Sequence, residues 1–218
     1  LLFVGENSYT EKPGDLNDLT LSPLQTKLAN ELIKTGKPVI LVLNQGRPRT
    51  IATIEPGVKA VINTYLPGNY GGNALADILY GEVNPSGKLP FNYPSYPNSI
   101  VNYYHKPSEE QNPAAGAYNY ESDYNPQYEF GDGLSYTTFA YSNPTTSATG
   151  FGPGDELKIS VDVTNTGNRA GKESVLLFSS DLYASMSPDV KRLRRFEKIS
   201  LNPGETKTVS FSLKAEDL

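Results

Sequence analysis

The chain has 218 residues, enough for one large domain or two small ones, and at 37% hydrophobic and 20% charged it has the make-up of folded globular protein. A net charge of -5 leaves no basic surplus to neutralise phosphates, so nucleic acid is not an expected partner. Cysteine is absent, which removes disulfides, thiol nucleophiles and cysteine metal sites, and no apolar run approaches the about 18 residues that span a bilayer.

The opening run Leu1-Leu2-Phe3-Val4 reads as the end of a buried strand. The chain starts mid-strand, with Leu rather than Met and without a signal peptide, and is therefore expected to be a piece of something longer. Next comes Gly5-Glu6-Asn7-Ser8-Tyr9-Thr10-Glu11-Lys12-Pro13-Gly14-Asp15, which carries three acidic side chains, two glycines and a proline. A loop at the carboxyl end of a strand is where open α/β sheets bind ligands. A solvated, idle acidic loop is the plain alternative, since most carboxylates are exposed and inert.

Ser22-Pro23-Leu24-Gln25 has the form of a capping box with proline at the first helical position. Leu24, Leu28, Leu32 and Ile33 follow at helical spacing, and Gly36 supplies a stop. Pro38 to Leu43 is continuously apolar, as in a strand covered on both faces, and Lys59 to Tyr65 predicts another strand. Gly71 to Leu79 predicts a helix with Ala74, Leu75, Ile78 and Leu79 on one face. Strands alternating with helices imply βαβ units and a mostly parallel sheet. Lys88-Leu89-Pro90-Phe91 reads as a short edge strand, because Pro90 cannot donate to a ladder.

From Tyr93 to Tyr141 the chain holds ten of its fifteen tyrosines and shows no clean period. Tyrosine-rich loops suit sugars and suit packing between two domains equally well. After Asn143 the pattern turns to β: Leu157, Ile159, Val161 and Val163 alternate, Val175 and Leu177 follow, and Val209, Phe211 and Leu213 alternate again. This is the signature of an antiparallel sandwich, whose usual seven strands leave a further hairpin to be expected beyond Leu218. Lys191, Arg192, Arg194 and Arg195 read as a strand edge protected by charge.

Several chemistries are struck out. His105 is the only histidine, so a multi-histidine metal site is unavailable and a Ser-His-Asp triad would need His105 as its base. No Gly-x-Ser-x-Gly elbow occurs, and the run Pro67-Gly68-Asn69-Tyr70-Gly71-Gly72 is neither a P-loop nor a dinucleotide fingerprint. Carboxylates and aromatics remain, the equipment of glycoside hydrolysis.

Seven ordered motifs cover nearly the whole chain: Gly5-Glu6-Asn7-Ser8-Tyr9-Thr10-Glu11, Gly14-Asp15, Gly36-Lys37-Pro38, Gly46-Arg47-Pro48, Leu66-Pro67-Gly68, Asn84-Pro85-Ser86-Gly87-Lys88-Leu89-Pro90 and Phe130-Gly131-Asp132-Gly133-Leu134-Ser135-Tyr136. Together they resemble the C-terminal half of glycoside hydrolase family 3, the β-glucosidases and glucan exohydrolases. Arg194-Arg195-Phe196-Glu197-Lys198 with Leu201-Asn202-Pro203-Gly204-Glu205-Thr206 resembles that family's fibronectin type III-like domain.

The resemblance implies an α/β sandwich domain with a mostly parallel sheet over residues 1–106, a Tyr-rich connector over 107–142, and an all-β fibronectin type III-like sandwich over 143–218. It implies a retaining exo-acting β-glycosidase acting on β-linked oligosaccharides or glycosides, with β-glucosides as the first substrate and β-xylosides as the second. An N-terminal barrel domain of the same protein would supply an aspartate nucleophile and hold most of the terminal sugar. Matching the family's Tyr-Ala/Thr-Glu motif assigns the general acid/base to Glu11, with Glu6 as second choice and Tyr9 as a candidate substrate contact. Neither cofactor nor metal is expected, and a periplasmic or secreted bacterial location is. The alternative is a non-catalytic carbohydrate-binding or scaffolding module built from the same two domains.

Overall fold

Continuous apolarity shapes the first sheet. Strand β1 (Leu2–Gly5), strand β2 (Ile40–Asn44) and strand β3 (Ala60–Asn63) form a three-stranded parallel sheet in the order β1-β2-β3. Leu41, Val42 and Leu43 of the central strand are all buried, so both faces of β2 are covered, which is why its sequence does not alternate. The register sets Gly5 opposite Asn44, and Leu43 opposite Asn63, so the three strands end together. The computed structural model describes residues 1–97, 99, 102–109 and 124–218. Residues 110–123 of the expected Tyr-rich connector lie outside the described residues.

Among the described residues two α-helices accompany the sheet. Helix α1 (Pro23–Lys34) begins as the sequence predicts, with the Gln25 amide donating to the Ser22 hydroxyl at 3.4 Å and proline in the first turn. The capping box is nevertheless only half formed. The Gln25 side chain turns to the backbone of Gly5 instead, its Oε1 accepting from the Gly5 amide (3.2 Å) and its Nε2 donating to the Gly5 carbonyl (3.1 Å). A carboxamide can satisfy a donor and an acceptor of β1 at once, which one reciprocal cap bond does not match. The buried side of α1 is centred on Ala29, with Leu32 and Ile33 half-buried, whereas Leu24 and Leu28 are exposed. Helix α2 (Gly71–Leu79) buries Leu75 and gives way to Tyr80 and a left-handed Gly81.

The β part pairs strand β4 (Phe139–Thr146), strand β5 (Glu156–Asn165) and strand β8 (Thr206–Lys214) antiparallel, in the order β4-β5-β8. Strand β6 (Gly171–Ser179) and strand β7 (Arg192–Leu201) form a second antiparallel sheet. Val163 and Val209 of one sheet, with Phe211, meet Val175, Ile199 and Leu201 of the other in one core. That is sheet-on-sheet packing. The basic run lies at the start of β7 and is paired: Arg192 with Asp189, Arg195 with Asp217, and Arg194 donating to the Ser179 hydroxyl at 2.8 Å.

Strand β4 carries a register shift between Ser142 and Thr145. Asn143 there has φ 51°, and Pro144 lacks an amide, so the ladder must bulge. The expected edge strand at Lys88–Phe91 is irregular. Among the described residues Leu89 alone pairs by its backbone, donating to Asp132 and accepting from Gly131, both at 2.8 Å. Pro90 removes the next donor, so no ladder extends.

The chain divides into two compact units. One takes Leu1–Tyr80 with the described parts of Phe91–Asn102 and Asn112–Phe130. The other takes Gly81–Pro90, the described part of Tyr103–Gln111, and Gly131–Leu218. Within the second, the Asn84 Oδ1 accepts from the Ser135 hydroxyl (2.9 Å) and the Tyr136 amide (2.8 Å), while its Nδ2 donates to Ala170 (3.0 Å). The two most distinctive sequence motifs therefore interlock.

Asn165, fully buried, does the equivalent inside the sandwich. Its Oδ1 accepts from the Thr137 hydroxyl (2.7 Å) and the Gly167 amide (3.1 Å), and its Nδ2 donates to the carbonyls of Arg169 (2.7 Å) and Leu201 (3.1 Å). Asn165→Ala leaves several buried groups without partners and is expected to destabilise this unit by about 2–3 kcal/mol. The check is the urea midpoint of the β-unit transition. An unchanged midpoint would show that the Asn165 carboxamide does not hold the sandwich together.

Candidate functional site

The carboxyl ends of β1 and β2 carry the loops that form the site. Gly5 closes β1 with φ 151°, and a Cβ there would lie 1.9 Å from the Asn44 carbonyl oxygen, so only glycine lets the two strand ends approach. Glu6 follows at once, its amide donating to that same carbonyl at 3.0 Å. This sends the Glu6 side chain inward.

The Glu6 carboxylate is 3% exposed and takes four N–H donors. Its Oε1 accepts from Arg47 Nε (2.9 Å), pairs with Arg47 Nη2 (2.8 Å) and accepts from Arg49 Nε (2.9 Å). Its Oε2 accepts from the Arg47 backbone amide (3.1 Å). Burial pushes the Glu6 carboxyl up, but the Arg47 amide and guanidinium, with Arg49 beside them, more than offset this and hold it below the usual carboxylate range. Glu6 is thus a fixed anion with no proton to give near neutral pH.

Arg47 extends beyond Glu6. Its Nη1 donates to the Gly14 carbonyl, and its guanidinium lies over the Tyr9 ring, 3.8 Å from the centroid. Tyr9, 39% exposed, sits against two glycines: a Cβ on Gly14 would strike the ring, and one on Gly46 would strike the hydroxyl. One face of Tyr9 is therefore occupied by Arg47, and the ring anchors the loop. Arg49 holds the far end, with Nη1 donating to the carbonyls of Asp18 and Thr20, each at 3.1 Å.

Behind this clamp lies a buried triangle. Gln45 Nε2 donates to the Tyr93 hydroxyl (2.7 Å), that hydroxyl donates to the Arg49 carbonyl (2.6 Å), and the Arg49 amide donates to Gln45 Oε1 (3.3 Å). Burial raises the Tyr93 phenol well above its ordinary value, so it remains a donor.

Glu11 is the contrast. It is exposed, and among the described residues no hydrogen bond or ion pair holds its carboxyl group. Its backbone has φ 47° and ψ -149°, a region a non-glycine residue enters at a cost of about 1–3 kcal/mol. The Glu11 carbonyl accepts from the Gly14 amide (2.9 Å), closing the 3-10 turn Lys12–Gly14 just beyond it. The structure thus brings Glu6, Tyr9 and Glu11 into one loop and gives the two carboxyls opposite environments. An open groove of about 700 Å³ runs along α1 past Thr20, Lys27, Glu31, Thr53 and Tyr96, but none of residues 5–15 lines it. Among the described residues no cluster of three or more His, Cys, Asp or Glu is disposed to hold a metal ion, and no helix is long and apolar enough to cross a membrane.

Arg47 and Arg49 are the site residues that sequence reasoning missed. The Gly46-Arg47-Pro48 motif marked their neighbourhood, and the buried carboxylate 41 positions upstream is what gives them a role.

Residues 1–136 match the glycosyl hydrolase family 3 C-terminal domain, and residues 173–218 match a fibronectin type III-like domain. The chain is 42% identical to a lysosomal beta glucosidase of Dictyostelium discoideum, over 99% of this chain and 26% of that protein. It is 40% identical to a periplasmic beta-glucosidase of Salmonella typhimurium, over 99% of this chain and 29% of that protein. It superimposes with a TM-score of 0.87 and 34% identity on a beta-glucosidase from Listeria innocua in complex with glucose, over 99% of this chain and 31% of that one. The chain therefore spans less than a third of the length of these proteins.

The Glu6 cluster has a pH signature. A carboxyl whose folded pKa is depressed contributes stability that is present above the ordinary value and is lost as pH falls through the folded one. The Arg47 and Arg49 Nε–H signals in NMR should hold their bonded positions from neutral pH to below about 4.3, then move toward those of free arginine. In Glu6→Gln they should sit displaced throughout. Bonded signals that persist in Glu6→Gln would contradict the assignment.

Proposed function

The chain belongs to glycosyl hydrolase family 3, and from that membership we propose that the protein carrying it is a retaining, exo-acting β-glucosidase that removes terminal non-reducing β-D-glucosyl residues, with Glu11 as its general acid/base. One observation carries the assignment within the loop. Of the two candidate glutamates, Glu6 has its side chain buried and committed to two arginines, whereas Glu11 is exposed and unpartnered among the described residues. A proton shuttle must be free to meet substrate oxygen at about 2.6–3.2 Å, and Glu6 is not.

In the reaction, the Glu11 carboxylic acid protonates the glycosidic oxygen as the bond from that oxygen to the anomeric carbon breaks. A carboxylate nucleophile bonds the anomeric carbon from the opposite face, about 5–5.5 Å from Glu11. The Glu11 carboxylate then takes a proton from water as that water displaces the nucleophile, which restores both groups. On this reading the nucleophile is an aspartate on an N-terminal barrel domain of the same protein. The length of the matched relatives and the exposure of Glu11 support it. Tyr9 offers its remaining exposed edge to the sugar. The glucose held by the Listeria innocua enzyme supports a glucoside substrate, and the Salmonella relative supports a periplasmic or secreted location.

In the full-length protein, Glu11→Gln is expected to slow hydrolysis of glucosides with poor leaving groups by about 10²–10⁴-fold. Activated aryl glucosides, which need less protonation, should still form the glycosyl-enzyme, and azide should rescue turnover as a β-glucosyl azide. If alkyl glucosides are hydrolysed by Glu11→Gln as fast as by the parent, the assignment falls. A panel of aryl β-glucosides and β-xylosides decides the sugar.

A further inference from the structure

We propose that Arg47 is the positioning residue for the Glu11 carboxyl, acting through the backbone of the loop that carries it; this rests on the assignment of Glu11 as acid/base. Three contacts made by one guanidinium bracket Glu11 along the chain. At the root of the loop Arg47 holds the Glu6 carboxylate, ahead of Glu11 it covers the Tyr9 ring at 3.8 Å, and after Glu11 it binds the Gly14 carbonyl. Between the second and third contacts the chain has little freedom. Pro13 has no amide, and the Gly14 amide is already bonded to the Glu11 carbonyl. Glu11 therefore stands at the apex of a short arc whose two feet are fixed to the same side chain.

Glu11 needs such a device because its own backbone resists the conformation it adopts. At φ 47° and ψ -149° the residue would relax if either foot were released, and its side chain would swing with it. Among the described residues nothing holds the Glu11 carboxyl directly, so its location is set entirely by the backbone. Proton transfer tolerates little error, and a displacement of about 1 Å can lower a rate about 100-fold.

The chemistry of the clamp selects arginine. A guanidinium has a flat face for the tyrosine ring and N–H groups pointing both to Glu6 and to Gly14. A lysine ammonium can reach one of these partners but cannot stack and bridge simultaneously. Arg47 is itself rigid, because its own backbone amide donates to Glu6 at 3.1 Å.

The test is leaving-group dependence in the full-length protein. Arg47→Ala and Arg47→Lys are compared with Glu11→Gln on a series of aryl and alkyl β-glucosides. The proposal expects Arg47→Ala to lower kcat/KM for alkyl glucosides about 100-fold and for dinitrophenyl glucoside less than about 3-fold, with Arg47→Lys intermediate. It also expects Arg47→Ala to cost little further in the Glu11→Gln background, since the acid it positions is gone. An equal loss across all leaving groups, or losses that multiply in the double variant, overturns the proposal and identifies Arg47 as merely structural. If Glu11→Gln shows no leaving-group effect, the acid/base assignment fails and the proposal fails with it. Should Arg47→Ala not fold, Arg47→Lys distinguishes the same two outcomes by the same leaving-group series.

Discussion

The buried Glu6 carboxylate is the constraint on which the site depends. An anion 3% exposed is tolerated only when cations and N–H groups replace the water it has lost. Here two arginines and one backbone amide do so, and every one of them comes from the segment following β2. The charge therefore ties the end of β1 to the end of β2 by more than the ladder alone. Arg49 and Arg47 then carry that tie outward, one to Asp18 and Thr20, the other to Tyr9 and Gly14. With Gln45 and Tyr93 locking the Arg49 backbone from behind, the loop has a polar foundation where a hydrophobic one would be expected.

Two glutamates on the same short loop thus have opposite fates. Glu6 is held ionised near neutral pH by donors on both of its oxygens, whereas Glu11 is left open and strained on a short arc. The loop thus separates a carboxylate that holds the geometry from one that is free to meet a partner. The β unit solves a comparable problem without charge. Asn84 joins one carboxamide to backbone groups from distant parts of the chain, Asn165 joins neighbouring groups to the distant Leu201, and a carboxamide does this at any pH.

What was legible in the sequence followed from local pattern. The continuous run at Leu41–Leu43 marked a strand covered on both faces, Ser22-Pro23 marked a helix start, and alternation at Val209, Phe211 and Leu213 marked a half-buried strand. Motif resemblance brought Glu6, Tyr9 and Glu11 to notice as a group. The clamp was not legible, because the pairing of Glu6 with Arg47 depends on the register that sets Gly5 against Asn44, and no local spacing encodes it. For the same reason Gln25 passed for half of a capping box: its true partner, Gly5, is 20 residues away in the chain. At β4 and at Lys88–Phe91 the obstacle was proline, which breaks a ladder in one place and prevents one in the other.

The clamp also has a consequence for recombination. Glu6, Tyr9, Glu11, Gly14, Arg47 and Arg49 all lie within a stretch that begins at β1 and ends shortly after β2. A chimera joined between residues 14 and 47 would set one parent's loop on another parent's guanidiniums, and any mismatch in arc length would displace Glu11 even with every side chain retained. A junction after Tyr93 would carry loop, clamp and buried triangle across as one inheritable cassette.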